Sequence, residues 1–225
     1  MTAAIHGTFT ANALRAHLAP DQPLPGETAW RALLPEYRRL PADADPTGWR
    51  SAAVLILLRP VGTGWRLPLI VRPAGAGIHA GQVALPGGAL ELGETAESAA
   101  LRECHEELGI QLDLSRILRR LTPLPVPPSR YLVTPVVALL DSPASAPPSP
   151  PSAFPYRPSP AEVAAVFECE LAEVLDPAKR GRTSRWHGDR YWEVPCLHLG
   201  GYEVWGATAM ILAELAALLA PKNLR

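Results

Sequence analysis

Between Glu94 and Glu107 the chain carries five glutamates, and the segment from Gly87 to Ile110 reads GGALELGETAESAALRECHEELGI. This segment constrains the fold more than any other, because both ends of a helix are written into it. Thr95 can cap an N-terminus over about 95–108, and Glu97 suits the positive end of the helix dipole. Gly109 fits a left-handed C-cap, after which Ile110 returns to the core. With the ends fixed, the faces follow at about 100° per residue. Leu101, Cys104 and Leu108 share one flank, which is expected to bury against a sheet. Glu103, Glu106 and Glu107 lie together away from it, beside Ala96, Ala99 and Ala100, whose small side chains are read as leaving room for a ligand. Like charges at these spacings repel. A solvated acidic face usually intersperses lysines, yet from Glu91 to Ile110 the basic residues are Arg102 and His105. Clustered carboxylates without counter-ions form a hard oxygen site suited to Mg²⁺, with Mn²⁺ as substitute.

The rest of the chain supplies a sheet for that helix. SAAVLILLRP from Ser51 is a short apolar run bounded by Pro60, and WRLPLIVRP from Trp65 returns after the VGTG turn, so the two make a hairpin. A short strand at 82–85 interrupts a glycine-rich loop. RYLVTPVVALL from Arg130 and AEVAAVFECEL from Ala161 read as further strands, the second leading to a turn. RYWEVPCLHLGGYEVWG reads as a hairpin around Gly200 and Gly201. The C-terminal run ATAMILAELAALLA is too short to span a bilayer, is broken by Glu214, and reads as a buried helix. Interleaved helices and strands imply an α/β fold with a mixed sheet between helices. The expected organisation is a helical N-terminal arm over 1–46 and one domain over 47–225, with a Pro-, Ser- and Ala-rich inserted loop at 141–160.

With 48% apolar residues in 225 there is material for a sizeable core. The net charge of −1 supplies no global field for nucleic acid or an anionic membrane, so a charged partner must be recognised locally. The three cysteines are widely spaced and form no C-x-x-C pair, which points to reduced cytoplasmic thiols. No basic region followed by an apolar run opens the chain, so no signal peptide is expected. A monomer and a homodimer both remain open.

From Gly88 the spacing is Gly, five residues, Glu94, seven residues, Arg102-Glu103, Cys104, one residue, Glu106-Glu107, one residue, Gly109-Ile110. That pattern resembles the signature box of the Nudix hydrolases, G-x5-E-x7-R-E-U-x-E-E-x-G-U, with Cys104 standing at one bulky aliphatic position. Upstream, RPAGAGIHAGQVALPGG is similar to a segment of the coenzyme A pyrophosphatases, matching at Arg72, His79, Gly81, Gln82, Val83 and Pro86. It departs at Pro73, at Gly77 where an arginine is expected, and at Leu85. YLVTPVVALL, SPAEVAAVFECEL and YEVWGATAMIL are also similar to that branch. The resemblance implies a Nudix-type α/β/α sandwich with a mixed central sheet. It also implies metal-dependent hydrolysis of a nucleoside diphosphate derivative. Glu103, Glu106 and Glu107 would ligate Mg²⁺ with the Gly87 carbonyl, and Glu94 would pair with Arg102 and orient the helix. The substrate implied is a small nucleotide, coenzyme A or an acyl-coenzyme A, cut to (acyl)phosphopantetheine and 3′,5′-ADP. ADP-ribose, a dinucleotide or a damaged nucleoside triphosphate is the alternative substrate, and a non-hydrolytic nucleotide sensor the alternative function.

Other residues divide between roles. Arg72, at a strand end, suits a phosphate clamp. His79 either meets a phosphate or braces its loop, and Gln82 is a candidate substrate contact. Glu162, read as beginning a strand, either completes the metal site or acts as general base. Glu168 and Glu170 are read as the solvent face of that strand. Trp186, His187, Asp189 and Arg190 form a polar-aromatic hairpin tip, and Trp205 is read as core. No G-x-S-x-G or P-loop occurs.

Overall fold

The computed structural model describes residues 9–37, 47–75, 80–140 and 156–220. His79, Gly77 and most of the Pro-rich loop lie outside the described residues. Two short helices come first, α1 (Ala11–His17), capped by the Thr10 hydroxyl, and α2 (Glu27–Trp30). β1 (Arg50–Val61) follows and is the hub of the sheet. Its apolar run is buried on both faces: Ala53, Leu55 and Leu57 face one core, and Ile56 and Leu58 face the other. Such two-sided burial is what a continuous apolar strand requires. The strand does not stop at Pro60, because Pro60 pairs with Trp65 of the returning strand and reaches Val61.

β2 (Gly64–Val71) completes the hairpin, and β3 (Val83–Ala84) and β4 (Gly87–Ala89) frame the start of the acidic segment. The acidic helix, α3, runs from Ala96 to Leu108. β5 (Ile117–Arg120), β6 (Leu124–Val126) and β7 (Tyr131–Leu139) follow it. β7 runs parallel to β1 from Arg50–Tyr131 to Leu58–Leu139, whereas β4 pairs with β1 and β5 and β6 pair with β7 in antiparallel fashion. Further along the chain, β8 (Ala165–Glu170) pairs with β2 and leads into a short helix, α4 (Leu171–Leu175). The result is one eight-stranded mixed sheet. A second sheet of three antiparallel strands holds β9 (Arg180–His187), β10 (Arg190–Leu199) and β11 (Tyr202–Trp205). The final helix, α5 (Gly206–Leu219), closes the chain. α3 packs on one face of the large sheet and α5 on the other, giving the α/β/α sandwich. No helix among the described residues is long and apolar enough to cross a membrane.

Glu214, which breaks the apolar pattern of α5, is 1% exposed and knits three segments together. It accepts from Gly26 N at 3.2 Å, Thr122 N at 3.2 Å and the Thr122 hydroxyl at 2.5 Å. Arg119 adds bonds to the carbonyls of Ala19 (3.0 Å) and Gln22 (3.1 Å), and Trp65 Nε1 donates to Phe9 O at 2.7 Å. A buried carboxylate tolerates its site only when its lone pairs are filled, and one filling group, Gly26 N, joins the Arg119 and Trp65 bonds in holding residues 9–26 to the sandwich.

Glu168 is not on a solvent face. It takes both arms of the Arg59 guanidinium, one bond at 2.5 Å, and the Tyr156 hydroxyl at 2.6 Å. Burial alone would push its carboxyl up, but the Arg59 and Tyr156 hydrogen bonds and the charges of Arg59 and Arg66 outweigh that and hold it below its usual 4.5. A depressed carboxyl stabilises the fold above its usual pKa, and that contribution disappears as pH falls through the folded-state value. Glu168→Gln is therefore expected to cost about 3 kcal/mol at pH 7, with the buried Arg59 guanidinium deprived of the Glu168 charge. Urea melts at pH 7 and pH 3 should show the difference shrinking in acid. An equal loss at both would assign it to packing.

Candidate active site

α3 is built as its caps dictate. The Thr95 hydroxyl accepts from Ser98 N at 3.2 Å, the Ser98 hydroxyl accepts from Thr95 N at 3.0 Å, and Gly109 ends the helix at φ 70°. Leu101, Cys104 and Leu108 are buried against the sheet. The alanines depart from the sequence reading. Ala96, Ala99 and Ala100 are buried too, so their small size lets the helix lie close to β1 and leaves no room for a ligand. Glu107 also departs, being 4% exposed rather than on an open face.

β4 pairs Gly87 with Val54 and Gly88 with Ala53, which carries the two glycines under the helix. Gly87 N donates to Glu107 Oε2 at 2.8 Å. At Gly88 the approach is so close that a Cβ would sit 2.3 Å from Glu103 Oε1. Arg72, just past β2, donates from Nη2 to Gly87 O at 3.2 Å. Arg102 reaches along the helix and binds Glu94 Oε1 (2.9 Å) and Oε2 (3.0 Å), Ala89 O (3.0 Å), Glu103 Oε1 (2.9 Å) and Glu106 Oε2 (2.9 Å). A further counter-ion arrives from outside the segment, since Arg120 of β5 grips Glu97. The helix is thus less short of cations than its own sequence implies.

Glu162 reaches the cluster by a turn and not a strand start, because β8 begins only at Ala165. Arg157 N donates to Leu108 O at 2.9 Å and Ser159 N to Glu107 O at 3.1 Å, which docks this segment on the C-terminal end of α3. There Glu162 lies within electrostatic reach of Glu103 and Glu107. Burial pushes the Glu107 carboxyl up to about 7, against the pull of the Gly87 N–H and Arg72, and Glu103 and Glu162 push it further. Burial also raises Glu103, against Arg102, with Glu106 and Glu162 adding repulsion. These carboxylates destabilise one another's charge, and with the Gly87 carbonyl they are hard oxygen donors, so the set fits a small divalent cation. In the conformation described, Arg102 and the Gly87 N–H hold the carboxylates, and no three His, Cys, Asp or Glu side chains among the described residues already converge as a ligand set.

Beside this cluster opens a cavity of about 860 Å³. Arg72, Gln82, Gly87 and Gly88 line it, and so do Tyr37, Arg185, His187, Glu203 and Trp205. Trp205 is therefore half-buried at a cavity wall and not core. Tyr37 stacks on His187, with ring centroids 4.2 Å apart and planes at 15°. Sequence reasoning read both hairpins of the three-stranded sheet, which the pairing bears out, but not that this sheet walls the cavity. Part of the signal was alternation, since Arg185 and His187, and likewise Glu203 and Trp205, sit at period two.

A NUDIX domain model matches residues 49–192. The "Uncharacterized Nudix hydrolase NudL" of Enterobacter sp. (strain 638) is 38% identical over 188 residues, covering 79% of this chain and 87% of that protein. The protein of the same description from Escherichia coli (strain K12) is 37% identical over 183 residues, covering 77% and 84%. Among solved structures, the MutT/nudix family protein from Enterococcus faecalis superposes with a TM-score of 0.50 at 16% identity, over 92% of this chain and 73% of that one, a likeness of fold.

Proposed function

This chain belongs to the NUDIX domain family, as a hydrolase of pyrophosphate bonds in nucleoside diphosphate derivatives, and from that premise we propose that its substrate is coenzyme A or an acyl-coenzyme A. The products are (acyl)phosphopantetheine and 3′,5′-ADP. One observation carries the reading: a single cavity joins Arg72 and the two glycines beneath the carboxylate cluster, Gly87 and Gly88, to an aromatic wall that bears a second guanidinium. A nucleotide with a long second arm needs that much length and that chemistry.

Glu103, Glu106, Glu107 and the Gly87 carbonyl would hold Mg²⁺, or Mn²⁺ in its place. A bound divalent cation offsets the diphosphate charge and makes water a stronger nucleophile toward phosphorus. Glu94, which takes two bonds from Arg102, keeps that guanidinium across Glu103 and Glu106 and so sets the helix face. Arg72, at the Gly87 carbonyl, is placed to take a phosphate oxygen. Its backbone N–H donates to Gln82 O at 3.0 Å, which supports Gln82 as the residue that fixes the loop beside the substrate. Exposed Glu162, in reach of the same carboxylates, is the proposed general base.

The purified protein with Mg²⁺ should be offered coenzyme A, ADP-ribose, NADH, diadenosine polyphosphates and nucleoside triphosphates, with products resolved by chromatography. Coenzyme A should lead in kcat/KM, and a chelator should abolish turnover. Another leading substrate would overturn the coenzyme A assignment. Binding without turnover of any would support a sensor.

A further inference from the structure

Within the cavity lining, the described residues include two cationic side chains, Arg72 and Arg185. Arg72 lies at the Gly87 carbonyl, where the diphosphate is expected. Arg185 belongs to the three-stranded sheet, and its surroundings are unusual for a strand-surface arginine. Its Nη2 donates to Glu203 Oε2 at 2.9 Å, and the Thr183 hydroxyl donates to the same oxygen at 2.6 Å. Its Nη1 donates to Ser184 O at 3.0 Å. Its guanidinium carbon lies 5.5 Å from the centroid of the Trp205 ring. The hydrogen bonds from Thr183 and Arg185 and the charge of Arg185 hold the Glu203 carboxyl below its usual value.

A long side chain normally loses much conformational freedom when it binds a ligand. Arg185 has lost much of it already, held by a carboxylate and an aromatic face, while other N–H donors of the guanidinium are left over. The planar fork suits a phosphate with two or three terminal oxygens better than an uncharged amide or hydroxyl. The neighbouring rings suit a purine better than a flexible aliphatic arm. His187 stacks with Tyr37, and Trp186 is 60% exposed. Wall and guanidinium together therefore match a nucleoside whose ribose carries a phosphomonoester. Glu203, Trp205 and Tyr37 all lie outside the matched residues 49–192.

We propose that Arg185 is a specificity-determining residue, positioned by Glu203 and Trp205, that recognises a phosphate ester on the ribose of the nucleotide half of the substrate. The proposal rests on the coenzyme A reading, whose nucleotide half carries that group, and it adds which residue distinguishes it from the dephosphorylated form.

Two measurements test it on the full-length chain. By calorimetry, adenosine 3′,5′-bisphosphate should bind more tightly than AMP, and Arg185→Gln should cut that preference roughly tenfold or more, the scale of a lost charge-assisted pair. Arg185→Lys, which keeps the charge but not the fork, should retain part of it. In turnover, the ratio of kcat/KM for coenzyme A to that for dephospho-coenzyme A should fall by a similar factor in Arg185→Gln, with the loss carried in KM. Equal losses on both nucleotides and both substrates, or no preference in the unmodified protein, would overturn the role of Arg185. If the protein does not cleave coenzyme A but keeps an Arg185-dependent preference for the bisphosphate, the substrate assignment fails and this inference stands.

Discussion

Glu106→Gln should lower kcat/KM on the diphosphate substrate by roughly a thousandfold or more while leaving the melting temperature nearly unchanged. The separation of the two effects follows from where Glu106 sits. Its side chain is 49% exposed, and its hydrogen bond to Arg102 Nη1 spans one turn of α3. Exposed pairs of that spacing contribute only a few tenths of a kcal/mol to stability. Gln keeps the volume and one acceptor oxygen but removes a formal charge from the set that would hold Mg²⁺. Glu94→Gln is the informative companion. Glu94 takes two bonds from Arg102, so its loss should act through the aim of that guanidinium and cost about 10–100-fold. The check is kcat/KM at saturating Mg²⁺, with Mn²⁺ binding followed in parallel. Near-normal turnover in Glu106→Gln would remove Glu106 from the metal site.

The parts of this fold that were legible in the sequence are those set by local chemistry. The caps of α3 came from Thr95 and Gly109, and the hub strand from an apolar run that only burial on both faces explains. The hairpins came from glycine-containing turns between strand-like runs. What escaped was set by distant partners. β4 has three residues and no apolar pattern, and it exists because Gly87 and Gly88 pair with β1. Glu168 reads as surface until Arg59, 109 positions earlier, is placed beside it. The alanines of α3 read as space because sequence cannot give the distance between helix and sheet. At the site, the carboxylates of α3 were visible as a repelling cluster. Their cationic partners Arg72, just past β2, and Arg120 of β5 come from elsewhere in the sheet layer, and Tyr37, Arg185 and Glu203 reach the cavity only through tertiary packing.

Gly87→Ala should abolish activity by a different route, costing about 3–5 kcal/mol of stability. Gly87 has φ +154°, and a Cβ there would meet Ala53 O at 2.3 Å, Val54 Cα at 2.6 Å and Val54 Cγ1 at 2.8 Å. The first two are backbone atoms of β1, which is paired with β7 along its length. The hub strand cannot move aside without disturbing both cores, so the clash has no cheap relief. Gly88→Ala makes the useful contrast. Its Cβ would meet the Glu103 carboxylate, at 2.3 Å from Oε1, and that is the end of a side chain. Glu103 can swing away, so the cost should fall on the site: a melting temperature close to that of the unmodified chain, with turnover and Mn²⁺ affinity both reduced. Thermal melts beside metal titrations of the two variants separate the cases. Equal destabilisation by both would mean that Glu103 is as fixed as the strand, held so firmly across Arg102 that it cannot turn toward a cation, and the set proposed to hold Mg²⁺ would then have to do without it.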